Sequence, residues 1–408
     1  MTDSASTDGV RPLDGITVVS LEHAIAAPFC TRQLADLGAR VIKVERAGEG
    51  DFARYYDTRV AGLSSHFVWV NRSKESLALD LKTAAALEVM ERLCAKADVF
   101  VQNLAPGAAA RLGLSAERLQ AANPRLVVCD ISGYGNDGPY RDRKAYDLLI
   151  QAEAGFLSVT GTSSEPAKAG ASIADIAAGM YAYSGILSAL LLRERTGEGS
   201  HIDVSMLESL AEWMGYPLYY AYDGAEPPPR LGAAHATIYP YGPFVAGDGR
   251  TVMLGLQNER EWQKFCEVVL GDASIAKDPR FESNAQRNAN RAALHAVIVE
   301  RFGRLTSGEL RERLDRAQIA SADVNTMHDV WRHPQLAARR RWTRVASPAG
   351  ALPALLPPGS SDRFDYRMDP IPRVGEHNAA ILRELGFDDA FIERMQAPVR
   401  SAAPRAQP

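Results

Sequence analysis

Short apolar runs alternate with helical patterns over residues 12–131. The apolar runs lie at 16–21, 41–45, 77–81, 99–101 and 126–131, and the segments 27–37, 84–97, 108–112 and 116–121 have helical spacing. Apolar strands separated by helices of this length favour a parallel sheet that is covered on both faces. Ligands of such sheets bind beyond the carboxyl ends of the strands, so the loops that follow these strands are candidate binding loops.

The first strand–helix–strand unit has the spacing of a dinucleotide-binding half but lacks its glycine-rich turn. The turn reads EHAIAAP at 22–28, without the glycines that let a backbone approach a pyrophosphate. We therefore expect no NAD or FAD site there.

The longest apolar helical pattern runs from Ile173 to Leu192 and carries one acidic residue, Asp175, near its start. Small residues recur three or four positions apart, so one face can pack closely against another backbone. The length approaches that of a membrane span, but the acid, two serines and missing aromatic belts favour a buried core helix.

Asp175 has two interpretations from the pattern alone. The positive end of the helix dipole favours a carboxylate at this position, so we expect the group to stay ionised. An ionised carboxylate among apolar residues is a plausible nucleophile. The alternative is a structural aspartate that caps the helix, and the pattern by itself favours this second interpretation.

A proline run at 227–229 is the strongest linker signal in the chain. Two short strands at 239–244 and 251–256 and a helical stretch from 259 to 314 follow it. We predict a large α/β domain over 1–224, a small α+β domain over 225–325, and a return of 326–408 to the large domain with a C-terminal tail. Residues 1–12 and those beyond 398 are expected to be disordered.

Composition narrows the class of protein. The 408 residues are 46% hydrophobic and 24% charged with a net charge of -4, so neither a nucleic-acid partner nor a membrane surface is expected. The four cysteines are widely spaced, which fits reduced thiols in a cytoplasmic protein better than disulfides or a metal site. The N-terminus lacks the apolar core of a signal peptide.

Several segments, in order, resemble the class III CoA-transferases, a group that contains the formyl-CoA and carnitine CoA-transferases and the α-methylacyl-CoA racemases. The segments are LDGITVVSLEH, DLGARVIKVER with GEGD, SLALDLK, VQNLAPGAAARLG, SGYGNDGPYRDRKAYD, ASIADIAAGMYAYSGILSALLLRERTGEGSHIDVSM and GEHN. The resemblance implies a Rossmann-like parallel-sheet large domain, a smaller α+β domain and an interlocked homodimer. It implies no tightly bound cofactor, with coenzyme A and acyl-CoA as substrates.

The resemblance also implies residue roles. Asp175 becomes the nucleophile, which forms a mixed anhydride, then an aspartyl-CoA thioester, and then reacts with an acceptor carboxylate. The residues implied to contact CoA are Ile25, Ala26, Arg46, Leu79, Lys82, Asn103, Leu104, Ala105, Arg111, Lys144 and Tyr146. Without the resemblance, the basic members of this set would be interpreted as solvated surface charges.

Two other functions stay open. Racemisation needs two acid/base groups on opposite faces of the substrate. The racemase branch carries a His-Asp pair where this chain has Tyr146-Asp147, and a tyrosine with an ordinary pKa of about 10 is a poor base. This difference favours transfer. The other alternative is a non-catalytic CoA-binding protein, which would form no covalent adduct.

The acceptor acid is the largest open question in the sequence. Arg54 and Arg230 are candidates to recognise a second carboxylate, as in a dicarboxylate such as succinate, itaconate or mesaconate. The segment 230–244 lacks the glycine run of the formyl-CoA branch, which argues against formyl-CoA or oxalate. His235 in this segment is interpreted equally well as structural or as facing the acceptor.

Overall fold

The computed structural model describes residues 10–396, so the predictions for the chain ends fall almost wholly outside it. Six strands form one sheet: β1 (Thr17–Leu21), β2 (Arg40–Arg46), β3 (Lys74–Leu79), β4 (Val99–Gln102), β5 (Val127–Ser132) and β6 (His201–Ser205). Every pair is parallel and the order is β3-β2-β1-β4-β5-β6. The order reverses between β1 and β4, the place where open parallel sheets bind ligands.

Five of these strands lie where the apolar runs predicted them, within about three residues at their ends. β6 was not predicted, because its sequence, HIDVS, follows a long helical stretch and has only two apolar residues. It pairs with β5 and completes one edge of the sheet.

The helices up to residue 213 are α1 (Ala26–Asp36), α2 (Ser65–Val70), α3 (Ala84–Lys96), α4 (Ala108–Arg111), α5 (Ala116–Ala122), α6 (Asp147–Glu153), α7 (Phe156–Val159), α8 (Ile173–Thr196) and α9 (Met206–Trp213). Side chains of α3 join those of the sheet in a core that includes Leu77, Met90, Phe100 and Val128. This core fixes the ends of the strands around which the candidate loops are arranged.

α8 packs closely against α1. Its glycine at 179 allows this approach, because a Cβ there would lie 2.7 Å from the backbone oxygen of Ala26. The opposite face of α8 leaves Tyr181, Leu191 and Leu192 exposed. Within the part of the chain that the structure describes, α8 alone has the length and apolar composition of a membrane span, which is weak support for one.

Contacts divide the chain into two compact units. The first comprises the residues up to 154, 169–214 and those from 338, and the second comprises 155–168 and 215–337. The second unit therefore starts before the predicted boundary at 225, and the proline run lies inside it. The segment 155–168 belongs to it because the Arg230 guanidinium donates to the backbone oxygens of Thr162 and Ser163.

The second unit contains an antiparallel sheet of β7 (Tyr241–Val245), β8 (Thr251–Gly255) and β9 (Ala320–Asp323). Trp262, Phe265 and Phe302 are among its fully buried core residues. In the first unit, β10 (Trp342–Ser347) and β11 (Gly350–Leu355) form a hairpin that was not predicted, because Pro353 interrupts its strand pattern.

The remaining helices are α10 (Gly215–Tyr220), α11 (Glu259–Lys264), α12 (Asn284–Ala289), α13 (Arg291–Phe302), α14 (Ser307–Ala317), α15 (Met327–Trp331), α16 (Pro334–Ala338), α17 (Asn378–Glu384) and α18 (Asp389–Gln396). α17 packs on the core of the first unit through Ile381 and Leu382.

Candidate active site

A cavity of about 960 Å³ opens at the carboxyl ends of β1, β2, β3 and β4 in the first unit. Residues from four loops line it, including Glu22 and His23 after β1, the 46–52 loop after β2, the 79–82 segment after β3, and Leu104 after β4. It therefore lies where the strand order reverses, at the binding edge that the alternating pattern predicted.

Four of the residues that the resemblance implied for CoA binding line this cavity, namely Arg46, Leu79, Lys82 and Leu104. The exposed Arg46 guanidinium forms one ion pair within the described residues, with the equally exposed Glu49 carboxylate at 3.0 Å. Such a pair contributes little to stability, so the guanidinium is available for a phosphate. Lys82 is exposed at the rim.

The other implied CoA residues lie around the cavity or away from it. The Asn103 side chain accepts from the His23 backbone nitrogen at 3.0 Å and donates to its oxygen at 2.9 Å, which holds two lining loops together. Ile25 and Ala26 are buried at the start of α1. Ala105 and Arg111 are exposed and outside the lining.

Lys144 lines a different cavity, of about 560 Å³, together with Tyr134, Arg143 and Glu153. Tyr146 directly precedes α6 and its side chain is 69% exposed. The structure therefore separates Lys144 and Tyr146 from the residues that line the larger cavity.

A network of buried charges forms the floor of the larger cavity. The Lys74 ammonium lies 2.6 Å from a Glu22 carboxylate oxygen, and the Lys43 ammonium lies 2.8 Å from an Asp51 oxygen and 3.4 Å from Glu22. Burial acts to raise the pKa values of Glu22 and Asp51, but the lysines outweigh it and lower both. Burial lowers the pKa of Lys74 to about 8, against the attraction of Glu22.

The network also fixes the loop after β1. An Asp51 oxygen accepts from the backbone nitrogen of Ala53 at 2.9 Å and from that of Ala24 at 3.3 Å. Ala24 has a φ of 60°, a conformation that a non-glycine residue rarely adopts without support. The buried charges thus hold the backbone that presents His23 to the cavity.

Asp175 lies in the first turn of α8, as predicted, and is half-buried. Its neighbour is a second carboxylate. One Asp147 oxygen accepts from the backbone nitrogens of Ala174 at 2.8 Å and Asp175 at 3.3 Å, and the other accepts from Gln151 at 2.6 Å. Asp147, and not Asp175, therefore satisfies the free amides at this helix end.

The expectation that Asp175 stays fully ionised is wrong. Burial raises the pKa of Asp175 to about 7, and the nearby negative charge of Asp147 adds to the increase. Among residues 10–396 no lysine or arginine pairs with it. The helix dipole is too weak to offset the loss of water and a like charge.

An aromatic row lies between the larger cavity and Asp175. The His23 and Phe52 rings meet edge to face at 4.8 Å, and the Phe52 and Tyr56 rings lie 5.7 Å apart. Partial burial raises the pKa of Tyr56 to about 12, with contributions from Asp51 and Asp175, so the phenol is within electrostatic reach of both carboxylates.

The guanidinium groups of Arg54 and Arg230 already donate hydrogen bonds within the protein. Arg54 makes two hydrogen bonds to the Glu45 carboxylate, at 2.7 and 2.9 Å, and donates to the Pro372 backbone oxygen. Arg230 donates to backbone oxygens of the second unit. The hypothesis that Arg54 binds an acceptor carboxylate therefore loses its physical basis, because its guanidinium is already paired with a carboxylate, whereas for Arg230 the hypothesis stays a prediction.

Sequence reasoning missed the contact of Asp147 with α8, the position of Tyr56 near Asp175, and the burial of Lys43 and Lys74. The signal for Lys43 was present, since it interrupts the apolar run of β2, where a charge needs a buried partner. Asp147 had no such signal, because it contacts the start of α8 from 28 residues away. The four cysteines are all buried and free, in agreement with the predicted reduced thiols.

Comparison with known proteins places this geometry in a family. The sequence model for CoA-transferase family III matches residues 13–378. A succinate–glutarate CoA-transferase of Agrobacterium fabrum is 34% identical over 403 residues, which cover 95% of this chain and 98% of that protein. An acetyl-CoA:oxalate CoA-transferase of Acetobacter aceti is 32% identical, over 96% of this chain and all of its own length.

A solved structure has the same fold. The crystal structure of a CAIB/BAIF family protein from Brucella suis superimposes with a TM-score of 0.81 at 36% sequence identity, over 92% of this chain and 99% of that chain.

Proposed function

The chain belongs to CoA-transferase family III and is a CoA-transferase, and from that premise we propose that Asp175 is its nucleophile. In the proposed reaction CoA moves from an acyl-CoA donor to a carboxylic acid through a covalent aspartyl-CoA thioester. The observation that carries the proposal is the environment of Asp175, a carboxylate withdrawn from water with no cation beside it among the described residues.

The proposed reaction has four steps. The Asp175 carboxylate attacks the donor thioester carbonyl, the C–S bond breaks, and CoA leaves as a thiolate. A mixed anhydride between Asp175 and the donor acid remains. The thiolate then attacks the aspartyl carbonyl, which releases the donor acid and leaves an aspartyl-CoA thioester. The acceptor carboxylate attacks the carbonyl of this thioester, the C–S bond breaks, and a second mixed anhydride and the CoA thiolate result. The thiolate attacks the acceptor carbonyl, and the new acyl-CoA and the free carboxylate result.

The raised pKa supports the nucleophilic role. A carboxylate is a weak nucleophile toward thioesters in water, and loss of water together with a higher basicity makes it stronger. Fixing it beside the thioester can supply up to ~7–11 kcal/mol of the barrier. The same pKa means that the group must lose a proton before it can attack, so activity should rise with pH through about 7.

The larger cavity suits the CoA portion of the donor. Arg46 and Lys82 are exposed cations at its rim that can meet phosphates, and the apolar Leu79 and Leu104 offer a surface for the nucleotide. The aromatic row from His23 to Tyr56 then leads toward Asp175, where the thioester must lie.

We propose a small dicarboxylate as the acceptor. Relatives over nearly the full chain length are named for succinate, glutarate and oxalate, and itaconate and mesaconate have the same two-acid chemistry. Among these, succinate and glutarate are the first candidates to assay, since the segment 230–244 lacks the glycine run expected of an oxalate enzyme.

Mass spectrometry of the protein during turnover tests the mechanism. Incubation with succinyl-CoA should add the mass of CoA to the peptide that contains Asp175. The Asp175→Ala variant should lose both the adduct and the transfer activity, whereas Asp142→Ala, an exposed aspartate that is 84% accessible at its side chain, should keep both. Transfer at the parent's rate by Asp175→Ala would refute the proposal.

A racemase is the second candidate, because a carboxyl group with a pKa of about 7 is well suited to act as a general base. Tyr56 is a poor opposite-face partner for such a base, since its pKa is about 12. Deuterium exchange into a 2-methylacyl-CoA without CoA transfer would establish this alternative.

We also propose that two chains form the interlocked homodimer of the family, in the cytoplasm. The exposed apolar side chains of α8 and the 44% exposed Trp213 on α9 support burial against another chain. Four free cysteines suit a reducing compartment. Light scattering on the purified protein should give twice the chain mass, and a monomeric mass would contradict the proposal.

A further inference from the structure

A separate cavity of about 490 Å³ lies wholly within the second unit. Its walls come from β7 and its preceding loop on one side and from the start of α13 on the other. The aromatic rings of Tyr239, Tyr241 and Phe244 and the side chains of Arg291 and His295 line it. Its volume and mixed lining are those of small-molecule sites, in which apolar walls surround a few polar groups.

Arg291 is a half-buried cation in this wall without a negative partner. Its Nη2 donates to the backbone oxygen of His235 at 2.9 Å and to the side chain of Asn288 at 2.8 Å. Its guanidinium lies 4.5 Å from the centre of the Tyr239 ring. No carboxylate within residues 10–396 pairs with it, and burial lowers its pKa.

The neighbouring Arg287 is a structural arginine whose charge is paired with a carboxylate. Arg287 is buried and stacks over Trp262, but its two terminal nitrogens bind the Glu259 carboxylate at 2.7 and 3.0 Å. Removing a cation from water is costly unless an anion compensates it. Arg291, one helical turn along the chain, has the aromatic contact but lacks the compensating acid.

The N–H groups of Arg291 that make no hydrogen bond within the described chain lie next to accessible space. In the described chain the Nε and Nη1 groups of Arg291 have no protein acceptor, and neither atom is a buried, unsatisfied group. His295 contacts the Tyr239 hydroxyl through Nδ1 at 3.1 Å, which leaves its Nε2 available. The His235 ring stacks on Tyr241 at 5.1 Å and fixes that wall.

We propose that this cavity binds a small aliphatic carboxylate, with the acid group against Arg291 and the carbon chain against Tyr241 and Phe244. A carboxylate matches the missing negative charge, and the short apolar walls match a chain of a few carbons rather than a polyphosphate. The site lies in a different unit from Asp175 and needs no turnover, so it is independent of the proposed mechanism.

Hydrogen–deuterium exchange of the full-length, CoA-free enzyme tests the site, with glutarate as the probe and sulfate at equal ionic strength as the control anion. Glutarate should slow exchange in the peptides that cover 231–244 and 288–296. Arg291→Gln should weaken this protection by ~10-fold or more in glutarate concentration, the usual effect of losing a hydrogen bond to a charged group.

Two further variants separate binding from folding. Arg304→Gln removes the same charge from an exposed side chain outside the cavity and should leave the protection unchanged. Ala292→Phe fills the cavity while Arg291 remains, and should abolish protection without altering exchange elsewhere. The proposal is overturned if glutarate gives no protection in these peptides, if sulfate protects them equally, or if Arg291→Gln retains the parent's response.

Discussion

The floor of the larger cavity and the start of α8 both hold carboxylates withdrawn from water, yet the pKa values of these groups move in opposite directions. Glu22 and Asp51 lie among Lys43 and Lys74 and have lowered pKa values. Asp175 lies beside another acid, and its pKa is raised to about 7. Burial acts in the same direction in both places, so the neighbouring charges decide the outcome.

The two regions also respond to pH in opposite ways. A carboxylate with a lowered folded-state pKa stabilises the protein above its unfolded pKa, and this stabilisation is lost as the pH falls through the folded value. Asp175 has a raised pKa, so its ionisation destabilises the folded state increasingly as the pH rises from about 4 to 7. The paired charges of Glu22, Asp51, Lys43 and Lys74 therefore stabilise the folded protein. The ionised form of Asp175 destabilises it, and the proposed reaction requires that ionised form.

Removing one cation from the network should have the largest effect on stability. Lys43→Met leaves Asp51 and Glu22 short of a positive charge in a fully buried place, which should lower the free energy of unfolding by ~3–5 kcal/mol. Urea denaturation at pH 7 measures the change. Lys82→Met, at the exposed rim of the same cavity, should change stability by less than ~0.5 kcal/mol. Equal losses in the two variants would mean that compensation is unimportant here.

Neutralising Asp175 should increase the stability of the protein, whereas removing Lys43 should decrease it. Asp175→Asn should raise the free energy of unfolding at pH 8 by ~2–4 kcal/mol, a range discounted for the part of the side chain that water still reaches. The gain should shrink by roughly half or more at pH 5, where the wild-type carboxyl is protonated when folded. Denaturation curves at the two pH values give the comparison, and a loss of stability at pH 8 would contradict it.

Removing the negative charge of Asp147 beside Asp175 should have the smallest of the three effects, a shift in the pH dependence of the reaction. The wild-type rate should rise with pH around the Asp175 pKa of about 7. Asp147→Asn keeps an oxygen for the Ala174 amide but removes the negative charge, so the rise should move ~0.5–1 pH unit lower. The pH dependence of kcat/KM measures it. An unmoved profile would show that burial alone sets the pKa.

The sequence predicts those features that depend on local patterns. Apolar runs located five strands of the sheet, and the small residues of α8 predicted its close packing, which Gly179 provides. The pKa of Asp175 was predicted in the wrong direction because only the helix dipole was considered. Asp147, the residue that decides the local charge, approaches from a different helix, and no periodicity reveals such a contact.

The buried charge network below the larger cavity could not be predicted from the sequence either. Glu22 directly follows β1, whereas Lys43 lies in β2 and Lys74 in β3, so the three meet only after the sheet has formed. Likewise, the hydrogen bond from Gly232 to Gly161 assigns 155–168 to the second unit and cannot be inferred from the composition of either segment.

The missing side chain at Gly179 helps to set the position of Asp175, the proposed nucleophile. Position 179 lies one turn beyond Asp175 on the same helix, and its bare backbone rests almost against the oxygen of Ala26, at the end of α1 that borders the cavity. A Cβ at position 179 would push the two helices apart and displace Asp175. The position of a half-buried carboxylate thus depends on a neighbouring residue that contributes only its backbone.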